Sequence, residues 1–168
     1  MTTAWYALRS KPHKEKMLFG QLKANGVEAY FPVLRVKPVN PRSRKERPYF
    51  PGYLFVHVDL AETGFTRLHW LPGASGLVTF DGEPGAIPDP LIDAIRKQVD
   101  RINQAGSERL AGLTAGDPVQ IESGPFAGYE AIFDASLAGS ERVRVLLKLL
   151  GDRAMRVELP ADVVKKQG

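Results

Sequence analysis

The spacing of apolar residues changes along this chain. Ala4 to Arg9 opens with two aromatics, Trp5 and Tyr6, and reads as a first strand. Pro12 suits a first helical turn, where its missing N–H costs nothing. Leu18 and Leu22 then recur at i, i+4, with Lys14, Lys16 and Lys23 available for the wet side and Gly26 for the stop. Val27 to Phe31 predicts a second strand, closed by Pro32. Asn40 to Pro48 carries Asn-Pro, Ser and four basic residues, and reads as a loop or hairpin tip. Tyr49 to Val58 predicts a strand, central because it is apolar on both faces, with Pro51-Gly52 inserting a bulge or bend. Thr63 to Trp70 fits no single period. Gly76 to Phe80 predicts a short strand and Asp81-Gly82 a turn. The clearest helix begins at Asp89. Its carboxylate can cap the free N–H groups, Pro90 fits the first helical position, and Asp93 suits the positive helix start. Ile92, Ile95, Val99 and Ile102 form one apolar stripe.

Beyond the polar stretch Asn103 to Gly112, which reads as a linker, the period becomes two. Val119 and Ile121 alternate with polar neighbours. Val143, Val145, Leu147 and Leu149 share one face, with Arg144 and Lys148 on the other. Met155, Val157 and Leu159 alternate with Arg156 and Glu158. Gly, Pro and Ser turns separate these runs, so a small antiparallel barrel is the simplest reading. The expected fold class is α+β: an α/β sandwich over residues 1–102, a linker over 103–113 and a barrel over 114–168.

Charge sharpens this division. Residues 1–50 hold eleven Lys/Arg against three Asp/Glu, residues 51–100 three against seven, and residues 101–168 nine of each. The basic first third points to an anionic partner, nucleic acid above all, because Lys and Arg release counterions from phosphates. Zero cysteines exclude disulfides, a thiol nucleophile and Cys-based zinc sites, and are compatible with a cytoplasmic protein. No apolar run approaches the ~20 residues that span a membrane. The three histidines, His13, His57 and His69, share no metal spacing, and no phosphate-binding glycine loop is present. His57-Val58-Asp59 reads as a strand end with a solvated histidine. These features argue against an enzyme and imply no cofactor.

Two motifs lie about seventy residues apart. The first is Tyr49-Phe50-Pro51-Gly52-Tyr53-Leu54-Phe55-Val56. The second is Gly116-Asp117-Pro118-Val119-Gln120-Ile121 followed by Gly124-Pro125-Phe126-Ala127-Gly128-Tyr129. In this order, with Trp5-Tyr6 near the start, they resemble the NusG family of transcription factors over nearly the whole chain. The resemblance implies an N-terminal (NGN) domain that binds the clamp helices of RNA polymerase through an apolar depression. It also implies a linker and a five-stranded barrel with a KOW motif that recruits Rho or a small-subunit ribosomal protein. The expected function is elongation or antitermination control through pausing or termination, by a cytoplasmic monomer.

Carried over residue by residue, the family's Pro-Gly-Tyr-hydrophobic-Phe-Val segment matches Pro51 to Val56. It implies polymerase contacts for Tyr53 and Phe55, whose rings offer large contact area at low entropy cost. Tyr6, Leu8, Ile92 and Ile95 are expected as further walls. Lys11, His13 and Lys14 sit where the first strand hands over to the helix, an edge that lies near upstream and non-template DNA in the family. Arg42, Arg44 and Lys45 could contact phosphate in the same way. Phe126 and Tyr129 are expected to meet the barrel's partner.

Gly128-Tyr129-Glu130-Ala131-Ile132-Phe133 has alanine where most members have glycine, and resembles the specialised RfaH branch. That branch carries a His-Thr-Thr contact to the polymerase gate loop, where this chain has Gly64-Phe65-Thr66. It can also fold its C-terminal domain as a helical hairpin masking the clamp-binding surface. Pro160 and the alternation over 143–149 favour a stable barrel here, although the Gly-free run of Leu146, Leu147, Leu149 and Leu150 also suits a helix turn. The alternative function is a KOW-containing RNA- or ribosome-binding module.

Overall fold

In a computed structural model, residues 3–35, 46–105, 130–134 and 136–157 are described. The elements in chain order are β1 (Ala4–Ser10), α1 (Glu15–Ala24), β2 (Glu28–Tyr30), β3 (Val33–Arg35), β4 (Glu46–Pro48), β5 (Tyr53–Val58), α2 (Leu60–Thr63), α3 (Phe65–His69), β6 (Ala74–Leu77), β7 (Thr79–Phe80), β8 (Glu83–Pro84), α4 (Asp89–Ala105) and α5 (Gly139–Val157). A 3-10 turn, Glu130–Phe133, precedes α5. The main sheet is antiparallel with strand order β2-β5-β1-β6. Two short hairpins, β3-β4 and β7-β8, accompany it.

Register decides which residue meets which layer. In the β1-β5 pair, Trp5 lies opposite His57, Ala7 opposite Phe55 and Arg9 opposite Tyr53. Directly opposed residues share a face, and successive residues alternate faces. Trp5, Ala7 and Phe55 therefore enter one core with Leu91, Ile92, Ile95 and Val99 of α4. Leu8, Leu54 and Val56 enter a second core with Leu18 and Leu22 of α1 and Leu68 of α3. The sheet is thus the middle layer between α1/α3 and α4/α5.

Three tight turns shape the edges. Phe50-Pro51-Gly52-Tyr53 closes with Tyr53 N–H donating to the Phe50 carbonyl at 3.1 Å, and Leu71-Pro72-Gly73-Ala74 with Ala74 N–H donating to Leu71 at 2.9 Å. Gly52 (φ 84°) and Gly73 (φ 89°) supply the positive φ that follows proline in such turns. Lys11-Pro12-His13-Lys14 repeats the pattern at 3.0 Å, with His13 at φ 61°. Pro12 thus serves a turn, and α1 begins at Glu15 rather than at the proline. The expected strand from Tyr49 likewise begins only at Tyr53, because the Pro51-Gly52 turn precedes it. Asp81 (φ 54°) and Gly82 (φ 82°) make the expected turn between β7 and β8. The helix expected from Asp89 runs to Ala105, so Asn103 is helical rather than linker. Its side chain donates to the Val33 carbonyl at 3.0 Å and accepts from Arg35 N–H at 2.9 Å.

The C-terminal region corrects the sequence-based expectation. Val143 to Leu149, expected as an alternating strand of a barrel, lies inside the 19-residue helix α5. Arg142, Leu146 and Leu150 recur every four residues and are buried, at 4%, 1% and 2% exposure. Val143, Val145, Leu147 and Leu149 flank them, half-buried. The same residues satisfy a period of two and a period of 3.6, and Leu, Arg, Lys and Glu favour helix. An apolar surface matching the helical stripe decides between them. Residues 114–129 and 158–168, with the Gly116 and Gly124 motifs, Phe126, Tyr129 and Pro160, lie outside the described residues.

Close approach fixes where α5 starts. A Cβ on Gly139 would stand 2.6 Å from Pro51 Cδ and 2.8 Å from Cγ, and the proline ring has little freedom to yield. Gly139→Ala should loosen the first turn of α5 and cost about 1–3 kcal/mol. Faster amide exchange along α5, with unchanged exchange in β1 and β5, is the expected readout. Gly20, inside α1 and open on all sides, makes the opposite case. Gly20→Ala should stabilise by about 0.5–1 kcal/mol, read as a raised Tm.

Candidate functional site

Aromatic rings dominate the sheet face that carries Phe55. Phe50 meets Phe55 edge-on at 5.6 Å between centroids, and Tyr49 meets Phe50 edge-on at 5.0 Å. Tyr30 lies beside Phe55 at 6.3 Å. The Arg96 guanidinium, from α4, sits 4.4 Å above the Tyr30 ring and 5.5 Å from that of Trp5. His57 stacks on Trp5 at 4.7 Å and holds the Glu28 carboxylate at 2.8 Å, so it is anchored rather than merely solvated. Burial pushes the Tyr30 phenol well up from its ordinary value, with Arg96 opposing the shift.

The C-terminal segment covers part of this face. Ile132, Phe133, Leu146 and Leu150 belong to the same core as Phe55, Tyr49 and Phe50. Polar contacts fasten it. The Tyr49 hydroxyl donates to the Ile132 carbonyl at 2.5 Å, and Gln98 Nε2 donates to the Phe133 carbonyl at 2.6 Å. Arg142 Nε donates to the Tyr49 carbonyl at 3.0 Å, while Nη1 donates to the Leu137 carbonyl and makes a longer contact, 3.5 Å, to that of Asp134. The guanidinium carbon lies 4.1 Å from the Tyr49 ring centroid.

No described carboxylate forms an ion pair with Arg142. Carbonyl dipoles and a π-face hold a nearly buried cation there. Desolvation pulls the Arg142 pKa down from its ordinary value, partly offset by Tyr49. Burial, opposed by Arg142, pushes the Tyr49 phenol up to about 12.

The expected polymerase-contact residues do not form one surface. Tyr53, Phe55, Ile92 and Ile95 come together, and the last three are fully buried, under 1% exposed. Tyr6 and Leu8 face the opposite core, against α1, because they pair with Val56 and Leu54 rather than with Phe55 and Tyr53. Burial, with the Asp59 charge adding, raises the Tyr6 phenol. Trp5, Ala7 and Arg9 are the β1 residues on the Tyr53 and Phe55 side. Tyr49, Phe50 and Arg142 also belong to the covered face and were not expected as site residues. The spacing of Arg142, Leu146 and Leu150 at i, i+4, i+8 was the signal that could have found the covering helix.

A basic surface lies on the other side of the sheet. Lys11, His13 and Lys14 are exposed in the turn before α1. Glu15, next in sequence, is buried, and its Oε2 accepts from Gly52 N–H at 3.0 Å. Lys11 N–H donates to the Gly73 carbonyl at 2.8 Å, which joins this turn to the one after α3. Arg42, Arg44 and Lys45 lie outside the described residues. Among the described residues, no group of three His, Cys, Asp or Glu could hold a metal ion, and no helix is long and apolar enough to cross a membrane.

The family model described as "NusG: Transcription termination factor nusG" matches residues 3–96, more than half of the chain. The "Transcription termination/antitermination protein NusG" of Vibrio vulnificus (strain CMCP6) is 25% identical over 174 residues, covering 96% of this chain and 94% of that protein. Its namesake from Vibrio parahaemolyticus is 27% identical, covering 93% and 82%. That of Escherichia coli (strain K12) is 25% identical, covering 93% and 83%. A solved structure titled "Domain interaction in Thermotoga maritima NusG" aligns with a TM-score of 0.45 at 20% identity, covering 60% of this chain and 59% of that one. The chain belongs to the NusG family, a family of transcription factors and not of enzymes.

Proposed function

We propose that this protein is a transcription elongation and antitermination factor that binds the RNA polymerase clamp helices through the face carrying Tyr53 and Phe55. In the form described here, α5 occupies part of that face, and binding requires its release. The observation that carries this reading is the burial of Arg142, Leu146 and Leu150 in one core with Phe55, Tyr49 and Phe50. A surface that a helical segment of the same chain covers can accept a helical partner of similar character. The specialised, RfaH-like version of the family function fits this arrangement better than a constitutive factor does. Once released, the segment is free to recruit a further factor such as Rho or a ribosomal protein. Lys11, His13 and Lys14 serve as sequence-independent phosphate contacts to DNA in the elongation complex.

Masking lowers the apparent affinity by the fraction of molecules in the open form. Arg142→Met removes the donors to the Tyr49 and Leu137 carbonyls and leaves the former buried without that partner. In full-length protein it should raise affinity for a purified clamp-helix fragment by about tenfold or more, equivalent to roughly 1.4 kcal/mol of lost docking. Adding Tyr53→Ala should then reduce that binding by about 2 kcal/mol. A released α5, seen by amide exchange, with unchanged affinity for the fragment would refute the masking. Retained binding in the folded Tyr53→Ala form would refute the assigned face.

Alkaline pH offers a second test. The Tyr49 phenol is raised from its ordinary value of 10 to about 12, so its contribution to docking is complete below pH 10. Above pH 10 the undocked tyrosine ionises first, and the contribution falls away as pH rises toward 12. The stability of α5 docking should decline across that window in the parent protein. Tyr49→Phe should be weaker by about 1 kcal/mol at neutral pH, from the lost bond to Ile132, and should lack this component of the decline.

A further inference from the structure

Among the described residues, Glu15 is the only buried acid, at 8% exposure. It opens α1 between the exposed Lys14 and Lys16, yet no described cation forms an ion pair with it. Its side chain reaches across to the Phe50-Pro51-Gly52-Tyr53 turn, where Oε2 accepts from Gly52 N–H at 3.0 Å. A turn of this kind makes one internal hydrogen bond, here Tyr53 N–H to the Phe50 carbonyl. The N–H of its third residue is left without a partner inside the turn, and Glu15 supplies one. The Gly52 carbonyl accepts from Ser10 N–H at 2.8 Å. Gly52 is therefore pinned from α1 and from β1 at once.

An acid in the first turn of a helix is ordinarily explained by the positive end of the helix dipole. That benefit needs no burial, and an exposed carboxylate obtains it without losing its hydration. Turning inward costs desolvation, which a charge-assisted bond to a peptide N–H offsets in part. The inward orientation points to a role at the turn rather than at the helix. Tyr53 is the first residue of β5, so the turn sets where its ring leaves the sheet. Pro51 stands against α5, with Cδ 2.6 Å from where a Cβ on Gly139 would lie. The Tyr49 carbonyl, just before the turn, accepts from Arg142 Nε.

We infer that Glu15 is a positioning residue for the partner-binding face. Its carboxylate, from the α1 side of the sheet, fixes the Pro51-Gly52 turn in the conformation that Tyr53 needs to meet the clamp helices and Pro51 needs to meet α5. The inference rests on the clamp-binding reading and adds a residue that acts through Gly52 rather than by contact with the partner.

Two substitutions separate the acceptor from the charge. Glu15→Gln keeps an oxygen within reach of Gly52 and discards the charge at the helix start. Glu15→Asp keeps the charge on a side chain one methylene too short for the bond. Both are made in full-length protein carrying Arg142→Met, so that masking by α5 does not obscure the face, and affinity for the purified clamp-helix fragment is measured. Glu15→Asp should weaken binding by about tenfold and Glu15→Gln by no more than about threefold. Equal affinities for the two variants, or the reverse order, would overturn the positioning role. A second readout needs no partner. With Arg142 intact, Glu15→Asp should speed amide exchange over the first turns of α5, and Glu15→Gln should leave it near the parent rate. Equal exchange in the two variants would also overturn the role. If the Arg142→Met protein binds no fragment at all, the clamp-binding reading falls, and the exchange result alone decides whether Glu15 positions the turn.

Discussion

An antiparallel sheet two residues deep in its alternation must be covered on both sides, and this constraint organises the protein. Even-numbered residues of β1 and β5 are sealed by α1 and α3. Odd-numbered ones, with Trp5, Ala7 and Phe55 at the centre, are sealed by α4. Beyond the reach of α4, the aromatic corner of Tyr49 and Phe50 extends the second face. The segment Ile132 to Leu150 completes that cover.

Arg142 shows what kind of contact this is. A guanidinium at 4% exposure is costly unless its donors are used, and here they meet the carbonyls of Tyr49 and Leu137 and the π-face of Tyr49. No described carboxylate pairs with it directly, and the Asp134 charge acts on it only as a minor influence. Carbonyl partners are less salt-sensitive than an ion pair but demand exact placement, which links α5 to the Phe50-Pro51-Gly52-Tyr53 turn. Gly139 against Pro51 and Arg142 against Tyr49 lock the same few residues from both ends of one helical turn. A contact that is polar, buried and geometrically specific can be made in one arrangement and lost as a unit.

The two sides of the sheet differ in chemistry. The α4/α5 side is aromatic and apolar and is covered by the chain itself. The α1/α3 side carries the exposed Lys11, Lys14 and Arg67. The interlocked turns at Lys11–Lys14 and Leu71–Ala74 set the geometry of that second side. His13 at φ 61° occupies a position that usually favours glycine or asparagine, a local strain accepted where the basic turn meets α3.

Much of the first domain was legible in the sequence. The aromatic start of β1, the stripe Ile92, Ile95, Val99, Ile102 and the acidic helix start at Asp89 each mark their element locally, because short-range patterns need no distant partner. The Pro51-Gly52 interruption was visible for the same reason. Which face each residue meets was not, since Tyr6 and Leu8 part from Tyr53 and Phe55 through a register that only strand pairing sets. The run Val143 to Leu150 was the hardest case. Its residues obey two periods at once, and intrinsic propensity differs by too little to choose. By itself the sequence determined that this stretch is amphipathic and must bury one side. Only the tertiary structure, by offering the Tyr49 and Phe50 surface to a helical stripe, decided which side and in which conformation.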